Sequence, residues 1–218
     1  MEPFRLSPFW WMSNTETRLG LVVGLCFALV LCAGCAADPG GGDDDDDTGD
    51  DDDTSEPVPF RLWSSAFDDG DLLPEEYECY QSNPALHWEG APEGTVALAL
   101  IFDDPTVGDF PHWAIYNIPT TVDGLEEGMS GQGVTNTPPA GASELRNGAN
   151  YLGYLGSCPC GPSPNTYRWR LWALDTELAD PSTGDARTQF SALAAAADEA
   201  SLDQVELSHR YGPATLCR

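Results

Sequence analysis

The side chains with the clearest chemical potential are two acidic residues and a histidine that stand between two apolar runs. Asp103 and Asp104 follow residues 96–102, and His112 opens residues 112–118. A carboxylate beside an imidazole fixes its tautomer and raises its basicity, which leaves the second ring nitrogen for a ligand. We predict that Asp104 and His112 form such a pair at a pocket mouth. Asp103 is assigned mainly a turn role, because aspartates before a proline initiate turns.

The same residue types are compatible with hydrolysis or metal binding, which the spacing does not favour. Ser157, His112 and Asp104 have the residue types of a hydrolytic triad, but Ser157 lacks the G-x-S-x-G motif that exposes a nucleophile. His87, His112 and His209 show no metal-ligand spacing such as H-E-x-x-H. We therefore expect no catalysis, no metal and no cofactor.

The elements that position these residues are predicted to be mainly β-strands. Residues 96–102 are too short for a typical helix, and residues 112–118 are stopped by Pro119, whose missing N–H suits a strand end. Residues 185–200 are Ala-rich with an apolar side, which predicts one helix near the C terminus. Residues 124–149 predict a long loop of the kind that compact domains keep for a purpose. Further strands are predicted at residues 60–67, 77–80, 167–174 and 202–211.

The first 35 residues have the features of a signal peptide. Arg18 precedes the apolar run 19–31, and small residues then lead to Cys35. The run is short for a membrane span of about 20 residues. The final Ala-Gly-Cys resembles a bacterial lipobox, so we expect Cys35 to be lipidated and the protein to be exported to the cell envelope, attached to the membrane through this anchor only. A plain secretion signal, an uncleaved anchor and a start at Met12 are the alternatives.

Acidic residues dominate the rest of the chain, whose formal charge is −27. Residues 36–59 contain nine aspartates within eleven positions and no apolar period, so we predict a disordered tether. An EF-type calcium loop would alternate its ligands around a glycine, and this segment does not. From Phe60 onward, 23 acidic residues face seven arginines and no lysine. This balance argues against nucleic acid as a partner and against adhesion to anionic lipid surfaces.

Five motifs together resemble the phosphatidylethanolamine-binding protein family, in its bacterial branch that is called Raf kinase inhibitor-like. They occur in family order over about 150 residues of the chain. The motifs are Ser-Asn-Pro-Ala-Leu-His-Trp at 82–88, Ile-Phe-Asp-Asp-Pro at 101–105, His-Trp-Ala-Ile-Tyr-Asn-Ile-Pro at 112–119, Gly-Tyr-Leu-Gly-Ser-Cys-Pro at 153–159 and Tyr-Arg-Trp-Arg-Leu-Trp-Ala-Leu-Asp at 167–175.

The resemblance implies a mainly β domain over residues 60–218, with two antiparallel sheets, peripheral helices and a small anion-binding cavity. The cavity residues that it implies are Asp104, His112, Tyr167 and the Gly156-Ser157 backbone. An anion would be held by the imidazolium, the Tyr167 hydroxyl and backbone N–H groups in a nest-type arrangement.

The cavity residues depart from the family pattern at three positions. Asn165 and Thr166 stand where the family has histidine and arginine, and Thr106 replaces a family aspartate. One imidazole and one nearby cation are therefore absent. The functional prediction is the binding of a small anionic ligand, such as phosphate or a phospholipid head group, without catalysis. The alternatives are an inhibitor or scaffold that binds a protein partner and has a degenerate pocket, and a hydrolase that uses the Ser157 region.

Four cysteines remain once the predicted leader and Cys35 are set aside. They are Cys79, Cys158, Cys160 and Cys217. Disulfides are expected in an exported protein. Since a Cys158–Cys160 bridge would close a very tight loop around a proline, we expect Cys79 and Cys217 each to pair with one of these two cysteines. Which pairs with which is left open, and a thiolate metal site is the less favoured alternative.

Overall fold

The structure is a computed structural model that describes residues 57–134, 136–181 and 183–217. The predicted signal peptide, Cys35 and most of the predicted tether lie outside the described residues. Within the described ranges, no helix is both long and apolar enough to cross a membrane. The strands are β1 Arg61–Ser64, β2 Leu86–Glu89, β3 Ala97–Asp104, β4 Phe110–Pro119, β5 Gly124–Leu125, β6 Ser143–Glu144, β7 Asn165–Leu174 and β8 Ser201–Tyr211. One α-helix, α1, spans Ala186–Glu199.

The strands form two antiparallel sheets. The larger has the order β6-β4-β3-β7-β8, and the smaller has the order β1-β2-β5. For the residues that the structure describes, this confirms the predicted mainly β fold with a single α-helix near the C terminus. The long loop is largely irregular, apart from the two-residue strands β5 and β6.

Strand β3 lies at the centre of the larger sheet and is buried at all eight positions. Because side chains alternate along a strand, Leu98, Leu100 and Phe102 pack into the core shared with the smaller sheet. Ala99 and Ile101 pack into a second core with α1. The last two residues of the strand continue this alternation, so Asp103 lies on the face that α1 covers and Asp104 lies on the opposite face.

The helix is oriented by its apolar stripe and begins at a side-chain cap. Phe190, Leu193 and Ala197 are its buried residues, at a spacing that places them on one side. Asp185 caps the first turn by accepting a hydrogen bond from the Thr188 N–H at 2.8 Å. The helix therefore covers part of one face of the larger sheet.

The predicted strand at residues 77–80 is wrong. A 3-10 helix occupies Glu75–Tyr77 instead, and Cys79 has a positive φ of 49°. Pro74 precedes this helix with φ fixed near the value that starts helical turns. The apolar character of the segment reflects burial of Tyr77 and Cys79 rather than sheet pairing.

Two disulfides join Cys79 to Cys158 and Cys160 to Cys217. This matches the expected pattern, in which Cys79 and Cys217 each bind one cysteine of the 158–160 loop, and it resolves the choice between the two arrangements. The loop is thereby attached on one side to the segment before β2 and on the other to the C-terminal tail.

Candidate functional site

A cavity of about 490 Å³ lies where β3 ends and where β4 and β7 begin. These ends meet at one edge because the three strands are antiparallel neighbours. One part of the wall is polar, and it consists of Asp104, His112, Asn165 and Tyr167. The other part is mainly apolar or sulfur-containing, and it includes Val107, Phe110, Ala149, Leu155, Cys158, Pro159 and Cys160.

The Asp104 carboxylate is buried and accepts hydrogen bonds from both sides of the cavity. Its Oδ1 accepts from the Thr106 N–H at 2.8 Å, and its Oδ2 accepts from the Asn165 amide at 2.7 Å. The Tyr167 hydroxyl also faces this carboxylate. These donors hold the buried carboxylate in one orientation, so the Asn165 amide has the role of fixing Asp104.

His112 reaches the cavity wall because β4 contains a bulge. The adjacent β3 residues Phe102 and Asp103 pair with Trp113 and Pro111 of β4. His112 lies between these two β4 residues and is the extra residue of the bulge, because it has no partner on β3. Trp113 already faces the inter-sheet core, and strict alternation would turn His112 towards α1. The bulge instead places the His112 ring 5.0 Å from Phe102 and 5.3 Å from Tyr167. Bulges often re-aim side chains in this way beside functional sites.

The predicted hydrogen bond between His112 and Asp104 is not formed. His112 Nδ1 lies 2.8 Å from the Leu155 carbonyl oxygen, which can only accept, so Nδ1 carries the proton. The tautomer is therefore fixed by a backbone group, and Nε2 is left as a proton acceptor. Burial lowers the pKa of His112, and the nearby Leu155 carbonyl and Asp104 charge only partly oppose this effect. The ring is neutral at pH 7, not the imidazolium that the sequence predicted.

Tyr167 connects the cavity to the core behind it. Its hydroxyl faces Asp104, Ser157 and the backbone N–H of Cys158. Burial raises the pKa of Tyr167, and the Asp104 charge raises it further. The hydroxyl therefore keeps its proton across the physiological range and can act as a hydrogen-bond donor.

The structure does not place Gly156 and Ser157 on the cavity wall. The Gly156 N–H donates to the Cys79 carbonyl at 2.6 Å, so it is not free for an anion nest. A side chain at Gly156 would place Cβ 2.2 Å from the Tyr77 carbonyl oxygen, so the glycine permits a close backbone approach. Ser157 is fully buried behind Tyr167.

Ser157 pairs with His209, a residue that the sequence analysis did not assign to the site. Ser157 Oγ lies 2.8 Å from His209 Nε2, and the Trp169 indole N–H donates to His209 Nδ1 at 2.9 Å. An indole can only donate, so Nδ1 is unprotonated and Nε2 donates to the serine. His209 therefore cannot remove the serine proton, and the Ser157-His112-Asp104 triad is not assembled. The alternation of Val205, Leu207 and His209 was the available signal for its burial.

The comparisons with known proteins agree with this architecture. The sequence model of the phosphatidylethanolamine-binding protein family matches residues 63–212. The chain therefore belongs to the phosphatidylethanolamine-binding protein family, whose model covers both sheets, the cavity and α1.

Two relatives and one solved structure illustrate the similarity. The chain is 41% identical over 122 residues to a UPF0098 protein of Methanothermobacter thermautotrophicus, covering 54% of this chain and 78% of the relative. It is 33% identical over 135 residues to the UPF0098 protein YbcL of Escherichia coli, covering 57% and 73%. The crystal structure of Escherichia coli YbcL superposes with a TM-score of 0.61 at 28% identity, covering 71% of this chain and 98% of YbcL.

Proposed function

We propose that the protein is an exported lipoprotein that binds a small phosphate-bearing ligand, such as a phospholipid head group, in the cavity at Asp104 and His112, without catalysis. The observation that carries the proposal is the cavity of about 490 Å³, in which a fixed imidazole, a phenol, an amide and the Asp104 carboxylate stand opposite a mainly apolar wall. Such a combination of apolar surface with a few converging polar groups is typical of ligand sites. Family membership supports the same cavity.

The charge needed for an anion comes from protonation of His112. No arginine or lysine lines the described cavity, and Asn165 occupies the place of the second family imidazole. An anion placed against His112 raises its pKa, because it stabilises the charged ring. Asp104 then balances the imidazolium from the other side. Ligand binding is therefore coupled to the uptake of one proton.

This coupling predicts the direction of a pH effect. The pKa of free His112 lies below its ordinary value, and the bound anion raises it. Affinity should rise as the pH falls through the pKa of the complex, by up to about tenfold per pH unit, and should level off below the pKa of the free protein. Sulfate is the suitable probe, because it keeps both charges over this range, whereas a phosphate monoester changes protonation itself.

The test is a calorimetric titration of the full-length chain with sodium sulfate at pH 5.5 and pH 8, at constant ionic strength. We expect at least tenfold tighter binding at pH 5.5. His112→Gln should abolish the binding, and His87→Gln, on the smaller sheet, should leave it unchanged. O-phosphorylethanolamine compared with inorganic phosphate then separates head-group recognition from simple phosphate binding. Absence of saturable binding at both pH values would overturn the proposal.

The proposed envelope location has a separate test. Both disulfides are compatible with an oxidising compartment, and lipidation at Cys35 would attach the domain to a membrane. In a bacterial host, Cys35→Ala should move the protein from the membrane fraction to the soluble envelope fraction. Cys32→Ala is the matched control, since it changes a cysteine in the same segment and should leave the protein attached. Identical fractionation of all three proteins would contradict lipidation.

A further inference from the structure

A second cleft, of about 470 Å³, lies on the opposite face of the larger sheet, between β7 and α1. We refer to it as the arginine cleft, because it is lined by Arg168, Arg170 and Arg187. Its apolar floor includes Phe190 and Ala194. Three of the six arginines that the structure describes therefore converge on a single depression, in a chain with no lysine.

Two of these guanidinium groups retain unused donors. Arg170 Nη2 donates to Asp103 at 2.6 Å, but Arg170 Nε is buried and has no hydrogen-bond partner. Among the buried side-chain nitrogen and oxygen atoms of the described ranges, Arg170 Nε alone has no hydrogen-bond partner. Arg187 is exposed and forms no hydrogen bond with the part of the chain that the structure describes, and its Nη1 lies over Gly108 at the rim. Since a buried unpaired donor is costly, an acceptor from a ligand would stabilise this arrangement.

The charge balance of the cleft limits the kind of ligand. Its three arginines are matched by Asp103, Asp109 and Asp198. Asp103 is held by two arginines, and Asp198 accepts a hydrogen bond from the Trp172 indole at 2.8 Å. A site that is neutral overall accepts a single negative charge more readily than two. The planar guanidinium fork matches the two oxygens of a carboxylate.

We propose that the arginine cleft binds a small monocarboxylate with an apolar body. The carboxylate accepts hydrogen bonds from Arg170 Nε and from the Arg187 guanidinium, and the apolar body lies on Phe190 and Ala194. The site is independent of the cavity at Asp104. The two sites lie on opposite faces of the sheet and share no lining residue, since Asp103 lines the arginine cleft and the next residue of β3, Asp104, lines the cavity.

Benzoate is a suitable probe, and benzamide is its neutral control of nearly the same shape. The readout is the NMR signal of the Trp172 indole N–H in the full-length chain, since this group bonds Asp198 and its ring lies 4.9 Å from the Arg170 guanidinium. We expect a saturable shift with benzoate and none with benzamide. A shift that does not saturate, or equal shifts with the two compounds, would overturn the proposal.

Variants then identify the residues that hold the carboxylate. Arg187→Gln removes an exposed guanidinium that bonds to none of the described residues, so the fold should be retained and the dissociation constant should rise at least fivefold. Arg170→Lys keeps a charge near Asp103 but removes Nε, and it should weaken binding as well. Arg61→Gln, an exposed arginine paired with Glu89 on the smaller sheet, is the matched control and should bind normally. Unchanged affinity in Arg187→Gln would exclude the proposed geometry.

Discussion

Replacing Asp103 by asparagine is expected to lower the free energy of unfolding by about 3 kcal/mol. The Asp103 carboxylate is 3% exposed and accepts two hydrogen bonds from Arg168, at 3.0 Å each, and one from Arg170 at 2.6 Å. An amide of the same shape cannot balance two guanidinium charges that are largely removed from water. Urea unfolding measures the change, since urea does not screen the charges as guanidinium chloride does.

Asp109 provides the matched control for Asp103. Its carboxylate is also 3.0 Å from Arg168 Nη2, but its side chain is 65% exposed. Exposed ion pairs contribute about 0–1 kcal/mol, so Asp109→Asn should cost less than 1 kcal/mol. Similar losses for the two variants would show that burial does not govern the strength of this cluster. Both carboxylates bind Arg168, and they differ in solvent exposure and in the additional bond that Asp103 accepts from Arg170.

The main strands were predictable because their signals are local. The apolar run before Asp103 has the length of a strand, and the structure extends β3 over Ala97–Asp104. Alternation in residues 167–174 and 202–211 corresponds to β7 and β8. The Ala-rich segment with its apolar side gives α1 within one residue at each end. In each case, the residues that define the pattern are those that bury the element.

The motif predicts the position of Asp104 at the cavity, but the role of Asp103 was not predictable from local signals. The Asp-Asp-Pro sequence predicts a turn role for Asp103, which is wrong, because Asp103 is buried in β3 and binds two arginines of β7. The partners lie 65 and 67 residues away in the sequence, so only the pairing of β3 with β7 shows the ion cluster. If the predicted strand had been extended to Asp104, the alternation of side chains along it would have placed Asp103 and Asp104 on opposite faces of the sheet.

The details of the candidate site depend on tertiary contacts that the motifs do not encode. The His112 ring is aimed by a bulge and fixed by the Leu155 carbonyl, rather than by Asp104. Ser157 bonds to His209, 52 residues away. A motif indicates which residue types are near the site, but the direction of each hydrogen bond follows from the partner that the fold supplies. Four predicted residues line the cavity, and Gly156 and Ser157 support it from behind.

His209 should make the protein sensitive to mild acid. Burial and, to a smaller extent, the nearby His112 together lower the pKa of His209 to about 3. In the unfolded chain this ring takes up a proton near pH 6.5. Between these two values the unfolded state binds more protons than the folded state, so stability falls as the pH falls from about 6.5 to 3. The full difference corresponds to about 5 kcal/mol.

The effect is separable from carboxylate titration if the measurement stays above pH 5. Between pH 7 and pH 5, His209 alone should lower the free energy of urea unfolding by about 2 kcal/mol. His209→Gln should be less stable at pH 7, because Trp169 and Ser157 lose a partner, yet its stability should depend on pH less steeply by that amount. NMR of the wild-type ring should show no protonation of His209 above pH 5. If the free energies of unfolding of the two proteins changed equally with pH, His209 would not be held neutral by its burial beside Trp169 and Ser157, and the prediction would be wrong.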